Sequence, residues 1–172
     1  HMNEKAVALE MKHTNFGDSA GLSDRTVSTP EDLFLLAKYL YAKKSFIFDI
    51  TQKEGKDVMS RNGKTYSWRN YNHFAGNPEF IGGKTGFTNL AKETMLTVFD
   101  IPFGDETHTV AAIVLGSDDR EKDVRSLVGW LKDTAYRSND TFTLGFVGDL
   151  MFDGGVEQSV ERYGGGNFSY IF

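Results

Sequence analysis

Three short β-rich runs followed by one amphipathic helix constrain what this chain can fold into. The runs are Phe80 to Thr88, Thr94 to Phe99 and His108 to Leu115, and the helix extends from Asp119 to Tyr136. Consecutive strands joined by short turns pair antiparallel, and a helix with one apolar stripe buries that stripe against a neighbouring layer. We therefore expect an α/β (α+β) fold in which an antiparallel sheet is flanked by helices.

Upstream of these strands the pattern is largely helical. Asn3 to Met11 predicts a short helix with Asn3 as its N-cap. A turn-rich loop from Lys12 to Ser28 follows. Thr29-Pro30 then predicts a second helix start, because threonine caps well and proline suits the first helical position. Apolar residues at helical spacing extend this helix to about Lys43.

The stretch between this helix and the first of the three runs is less regular. Ser45 to Ile50 is apolar, and either a short helix or a strand would fit it. Asp57 to Trp68 is typical of a β-hairpin, with Asn62-Gly63 supplying the positive φ angles of its turn. The sequence therefore assigns the second segment and leaves the type of the first open.

Composition and charge exclude several function classes. The net charge of −5 is spread over 172 residues without a basic block, which argues against a nucleic-acid partner. Cysteine is absent, so neither a disulfide nor a thiolate metal site can form. His13, His73 and His108 lie in separate segments without metal-ligand spacing, and no apolar run has the length that spans a bilayer. We expect no metal and no other cofactor in this part of the chain.

Lys84-Thr85-Gly86 is the most informative tripeptide. It lies inside the first predicted strand and directly follows Gly82-Gly83. K-T-G is one of three sequence elements that β-lactamases and penicillin-binding proteins share, beside S-x-x-K and a serine-asparagine motif. Taken alone, the triplet also fits an edge-strand lysine followed by a turn glycine.

Further blocks along the chain decide between these interpretations. In order they are Asn3 to Phe16, Ala20 to Leu33, Asn62 to Asn72, Gly83 to Thr88 and Val114 to Trp130. Together they resemble the C-terminal part of the serine-type D-alanyl-D-alanine carboxypeptidases, penicillin-binding proteins of the peptidase S11 family. The resemblance covers about Asn3 to Lys132. It implies part of a penicillin-binding transpeptidase/β-lactamase-like fold, and we assign residues 3–137 to that domain.

The resemblance implies a role for each residue of the motif. Lys84 would keep positive charge beside a serine–lysine pair, and the Thr85 hydroxyl would hold the terminal carboxylate of a D-Ala-D-Ala peptide. Gly86 would let the peptide backbone approach as an added strand, and the backbone N–H of Phe87 would form one arm of an oxyanion hole. Arg120 would add positive charge near the carboxylate. The alternative interpretation of Arg120 is a solvated residue at the start of a helix.

The chain departs from the family pattern in three places. None of its serines is followed by lysine three positions later, so the acylated serine of S-x-x-K is not found. Ser60-Arg61-Asn62 fits S-x-N by its letters, but it lies in the predicted hairpin, and we interpret it as coincidence. Ala91-Lys92-Glu93 replaces the small residues usual after the catalytic strand. We expect a fragment that is inactive alone, with an exposed sheet edge through which it could self-associate.

The residues after the helix suggest a second unit. Residues 141–172 resemble the start of a CapA-type capsule-biosynthesis domain, a family related to metallophosphoesterases. Asp149 would be a metal-site candidate through this resemblance alone, and it lacks the histidine of a D-x-H motif. The alternative interpretation is a strand that ends in the turn Gly148-Asp149.

Two function hypotheses follow. In the first, the chain is part of an extracytoplasmic carboxypeptidase that acts on peptidoglycan peptides ending in D-Ala-D-Ala and that is acylated by β-lactams. In the second, it is a non-catalytic penicillin-binding-like interaction module attached to a capsule-biosynthesis protein. His1-Met2 is typical of a cloning remnant, so we expect native sequence upstream that would distinguish the two.

Overall fold

The computed structural model of the chain describes residues 1–135, so the predicted tail with Asp149 lies outside the described residues. The helices are α1 (Met2–Ala8), α2 (Pro30–Lys43), α3 (Phe46–Thr51) and α4 (Arg120–Ala135). The strands are β1 (Gly55–Met59), β2 (Thr65–Arg69), β3 (Phe80–Thr88), β4 (Lys92–Phe103) and β5 (Glu106–Ser117). Within this range, β1 and β2 form a separate hairpin, and β3, β4 and β5 form an antiparallel sheet in that order.

The three predicted strands are therefore confirmed as neighbours, and two of them are longer than predicted. Phe103 pairs with Glu106 across a two-residue turn in which Gly104 has a φ of +62°. Glycine at this first turn position is what a type II′ hairpin requires. The ladder can therefore continue to the turn on both sides, beyond the β-rich runs visible in the sequence.

The core lies between this sheet and α4. Met95, Phe99 and Ile101 alternate along one face of β4 and are at most 2% exposed. Val124 of α4 is fully buried against them. Three more residues of the predicted helix stripe, Leu127, Val128 and Leu131, pack at the margin of the same cluster. Burial of this stripe confirms that the helix covers one face of the sheet.

A β-bulge in β3 sets which residues face α4. Phe80 pairs with Phe99, whereas Gly82 pairs with the adjacent Val98, so Ile81 is the extra residue. Phe80 therefore points into the α4 core. Beyond the bulge the alternation is shifted, because Gly82 and Lys84 lie on the opposite face.

The N-terminal helix is shorter than predicted, and its proposed cap is wrong. It ends at Ala8, and its N-cap is His1, without a side-chain hydrogen bond. The Asn3 side chain instead accepts a hydrogen bond from the backbone N–H of Phe16 at 2.7 Å and donates to the Phe16 carbonyl. The Asn3 amide, which the local sequence predicts to cap the helix, thus binds a loop that is distant along the chain. The start of α2 is confirmed, since the Thr29 hydroxyl accepts from the N–H of Asp32.

Ser45 to Ile50, for which the sequence allowed either a helix or a strand, lies almost entirely in the helix α3. The hairpin itself is confirmed, but its turn differs from the prediction. Gly63 alone in that turn has a positive φ, of +80°, while Asn62 accepts hydrogen bonds through its side chain from Ser60 and Lys64. In the part of the chain that the structure describes, no helix has both the length and the apolar character needed to cross a bilayer.

Candidate active site

The K-T-G tripeptide lies on β3, at the edge of the three-stranded sheet. Lys84 is exposed and shares a face with Gly82, which lies against α3. A Cβ on Gly82 would come within 2.9 Å of the Phe48 Cα, so only glycine permits this approach of helix and strand. The predicted strand assignment of Lys84 is confirmed, and the two preceding glycines are explained by close packing.

The outer edge of β3 has backbone groups that point away from β4. The Gly83 N–H donates to the Thr51 hydroxyl at 3.1 Å and so points away from β4. Because backbone direction alternates along an antiparallel strand, the N–H groups of Thr85 and Phe87 point to the same outer side. Among the described residues, no strand pairs with this edge. The Lys84 ammonium donates to the Thr85 carbonyl oxygen, which places a positive charge directly over the edge.

Arg120, the first residue of α4, joins the same strand. Its Nη1 donates to the Gly86 carbonyl oxygen at 3.0 Å. Glu93 accepts from the Arg120 backbone N–H at 3.1 Å, and its other oxygen lies 3.6 Å from Nη1. The Arg120 side chain is 15% exposed, which excludes the alternative of a solvated helix-start residue. Its Nε is buried without a partner among the described residues.

A loop behind β3 supports the K-T-G segment from the α4 side. Asn72 is 2% exposed and lies against Gly83, and its Nδ2 has no hydrogen-bond partner within residues 1–135. A hydrogen bond and an ion pair hold this loop on α4. His73 Nδ1 lies 2.7 Å from Glu121, and Glu79 lies 2.6 Å from the Lys132 ammonium. Neighbouring Phe74 inserts into the core.

Ser60 and Asn62 do not join this site. They lie in the exposed β1–β2 turn, where the Ser60 hydroxyl donates to the Asn62 side chain and to the Lys64 carbonyl. This local pairing is what a hairpin turn uses, and it supports the interpretation that their S-x-N spacing is coincidental. Within the described residues, no group of three or more histidine, aspartate or glutamate side chains could hold a metal ion.

Comparison with known proteins agrees with this arrangement. The family model described as D-alanyl-D-alanine carboxypeptidase, peptidase S11, matches residues 1–118. The chain belongs to this family. A D-alanyl-D-alanine endopeptidase of Escherichia coli (strain K12) is 35% identical over 124 residues, which cover 62% of this chain and 39% of the relative.

Solved structures of the family share the fold. The chain resembles the D-alanyl-D-alanine carboxypeptidase from Mycobacterium tuberculosis H37Rv with a TM-score of 0.64 and 25% identity, over 84% of this chain and 55% of the other. Penicillin-binding protein D2 from Listeria monocytogenes, in its cefotaxime-bound form, gives a TM-score of 0.61 and 25% identity, over 80% and 53%. This peptidase S11 chain thus spans about half the length of these proteins. The predicted partial penicillin-binding fold is confirmed.

The structure brings together the five residues that the sequence assigned to the peptidase site, on one strand and one helix terminus. It adds Thr51, Asn72 and Glu93, which sequence reasoning missed. Glu93 had been noted only as a departure from the family pattern. Asn72 was noted only as the end of one block of the family resemblance, and the burial of a single polar residue leaves no periodic signal. Thr51 follows directly after Ser45 to Ile50, the segment whose type the sequence left open, and is the last residue of α3.

Proposed function

We propose that the chain forms the peptide-binding side of a serine-type D-Ala-D-Ala peptidase site. The observation that supports this most is the joining of the K-T-G strand to Arg120 through the Gly86 carbonyl. Lys84 then lies over the open strand edge, and Arg120 lies behind the same strand, against the Gly86 carbonyl and Glu93. Such an edge binds an extended peptide through backbone hydrogen bonds, and the cations favour a peptide with a carboxylate end.

The proposed roles fix the direction of the bound peptide. The Thr85 hydroxyl holds the terminal carboxylate, and the outward N–H of Phe87 contacts the carbonyl oxygen of the scissile bond. Because the carboxylate lies at Thr85 and the scissile carbonyl at Phe87, the peptide runs antiparallel to β3. Its backbone approaches at Gly86, where a side chain is absent. Peptidoglycan stem peptides have this D-Ala-D-Ala end, which implies work in the cell envelope, and β-lactams would occupy the same edge.

Isotope-edited NMR tests this assignment on the chain itself. Nα,Nε-diacetyl-L-Lys-D-Ala-D-Ala should shift the backbone amides of Thr85, Gly86 and Phe87 and the Arg120 side-chain N–H signals. The matched peptide ending in L-Ala-L-Ala should shift them far less, since inversion misdirects its methyl groups and carboxylate. Equal shifts by both peptides, or none by either, would reject the assignment.

Carboxypeptidase and endopeptidase action remain two forms of this proposal. The family description favours the first, whereas the E. coli relative is a D-alanyl-D-alanine endopeptidase and favours the second. Neither form proceeds with these 172 residues alone in our proposal, because no S-x-x-K is present to supply the nucleophile. The serine would have to come from polypeptide outside this sequence. Without it, the chain would act as a binding module, which is the second hypothesis.

A further inference from the structure

A hydrogen bond between Thr51 and Gly83 joins α3 to the edge of β3. The Thr51 hydroxyl accepts the outward N–H of Gly83 at 3.1 Å and itself donates to the Phe48 carbonyl oxygen at 3.4 Å. The Thr51 carbonyl oxygen accepts from the Asn70 side chain at 2.6 Å. The last turn of α3 is therefore fixed on both sides, and it occupies the first outward-facing position of the edge.

Packing leaves no space for another chain at this point. A Cβ on Gly82 would lie 2.6 Å from the Thr51 hydroxyl oxygen and 2.8 Å from the Phe48 ring. Phe48 is 3% exposed, so α3 is anchored by a buried side chain at this contact. Outward-facing residues of a strand recur about every 7 Å. One such step separates Thr85, where the edge is open, from Gly83, where α3 closes it.

We propose that Thr51 is a specificity-determining residue that ends the peptide-binding edge of β3 at Gly83. The inference rests on the proposed function, which directs a bound peptide from Phe87 towards Thr85. A residue continuing the main chain beyond Thr85 would meet Thr51 in place of a free N–H. The ligand main chain must therefore end opposite Thr85 in a free carboxylate. Any larger substituent on that last residue has to extend from its side chain.

Because the binding edge ends at Gly83, two classes of peptide should bind differently. A leaving residue with a free α-carboxylate fits, whether or not its side chain continues into a cross-link. A linear peptide with another residue after the second D-Ala does not fit. Thr51 thus selects the chemistry at the end of the ligand main chain, and both carboxypeptidase and endopeptidase action on branched peptides satisfy this selection.

Two peptides and two variants test the proposal by NMR titration of the chain. The probes are Nα,Nε-diacetyl-L-Lys-D-Ala-D-Ala and the same peptide extended by a C-terminal glycine. The unsubstituted chain should bind the extended peptide at least tenfold more weakly. Thr51→Ala, which frees the Gly83 N–H, should raise the affinity for the extended peptide relative to that for the shorter peptide at least threefold. Thr51→Ser, which keeps the hydroxyl, should match the unsubstituted chain.

Hydrogen exchange provides a readout that needs no ligand. The Gly83 amide should exchange at least tenfold more slowly than the outward amides of Thr85 and Phe87, and Thr51→Ala should remove this protection. Equal exchange at the three amides, or equal affinity of the unsubstituted chain for both peptides, would overturn the role of Thr51. If neither peptide shifts Thr85 to Phe87 in any variant, the proposed function itself fails, and the inference fails with it.

Discussion

Arg120 and Gly86 are joined by a 3.0 Å hydrogen bond that fixes the start of α4 to the K-T-G strand. Glu93 completes the contact from β4, through its own bonds to the Arg120 backbone and guanidinium. The helix terminus, the edge strand and the central strand therefore meet at one guanidinium, so changes there should affect both stability and binding.

The Arg120–Glu93 pair should show energetic coupling. Both side chains are largely buried, at 15% and 31% exposed. A double-mutant cycle with Arg120→Gln and Glu93→Gln, followed by urea unfolding, should give a coupling free energy on the order of 1 kcal/mol. An uncoupled pair, with additive losses, would mean that the guanidinium is held by Gly86 alone.

Lys84 should matter for binding and not for stability. Lys84→Ala should weaken binding of the D-Ala-D-Ala peptide about tenfold, or about 1.4 kcal/mol, because a charge at the open edge is lost. The free energy of unfolding should change by less than about 0.5 kcal/mol, since the side chain is exposed. Lys56→Ala, at an exposed strand lysine of the separate hairpin, is the matched control and should change neither. Equal peptide affinity for Lys84→Ala and Lys56→Ala would remove Lys84 from the site.

The 172-residue chain should not be acylated by penicillin. The expectation follows from the absence of S-x-x-K, because an unactivated serine hydroxyl is a poor nucleophile. Mass spectrometry after incubation with a labelled penicillin should show the unmodified mass only. A stoichiometric adduct on any serine would contradict the assignment of the missing nucleophile, and an adduct on Ser60 would also contradict the interpretation of Ser60.

Lys92 should be a site of removable backbone strain. It begins β4 with a φ of +53°, in the left-handed region that glycine adopts without penalty. Lys92→Ala removes the ion pair with Asp118, at 3.1 Å, and keeps the strain, whereas Lys92→Gly removes both. Urea unfolding should find the glycine variant more stable than the alanine variant by about 1 kcal/mol. The reverse order would show that this backbone conformation is not strained.

The Asp18 loop should contribute pH-dependent stability. Desolvation raises the pKa of Asp18, but hydrogen bonds from the backbone N–H groups of Gly21, Ser23, Ala20 and Leu22 outweigh it, and the pKa lies below its ordinary value. A depressed folded pKa stabilises the fold above the unfolded pKa, near pH 4, and this contribution disappears as pH falls through the folded pKa. The difference in urea midpoint between the unsubstituted chain and Asp18→Asn should therefore shrink as the pH is lowered from neutral to below about pH 4. A difference that is independent of pH would contradict this.

Several parts of the fold could be predicted because local pattern and tertiary packing agree. The stripe at Val124 and Leu127 is apolar since α4 covers the sheet, and Lys84 follows two glycines that the packing of β3 requires. Asn3 shows the opposite case. Its amide is equally suited to a cap and to the Phe16 backbone, and only the folded loop decides between them.

The missed site residues share one physical cause. Thr51 and Asn72 act through contacts with Gly83, which lies more than ten positions further along the chain. Neither residue type is unusual at the end of a helix or in a polar loop, so the sequence contains no local signal for them. Arg120 was found because it lies in the block Val114 to Trp130, which resembles the family, and not because its contact with Gly86 was foreseen.

The bulge at Ile81 determines which face of β3 each side chain of the K-T-G motif occupies. Side-chain direction alternates along β3, so the number of residues between Phe80, fixed in the core, and Lys84 decides which face the lysine occupies. Substitution at position 81 leaves that number unchanged. Deletion of Ile81, or insertion of one residue beside it, would turn Lys84 towards α4 and leave every side chain of the motif chemically intact but on the wrong face. In related chains this segment should therefore vary in composition but not in length.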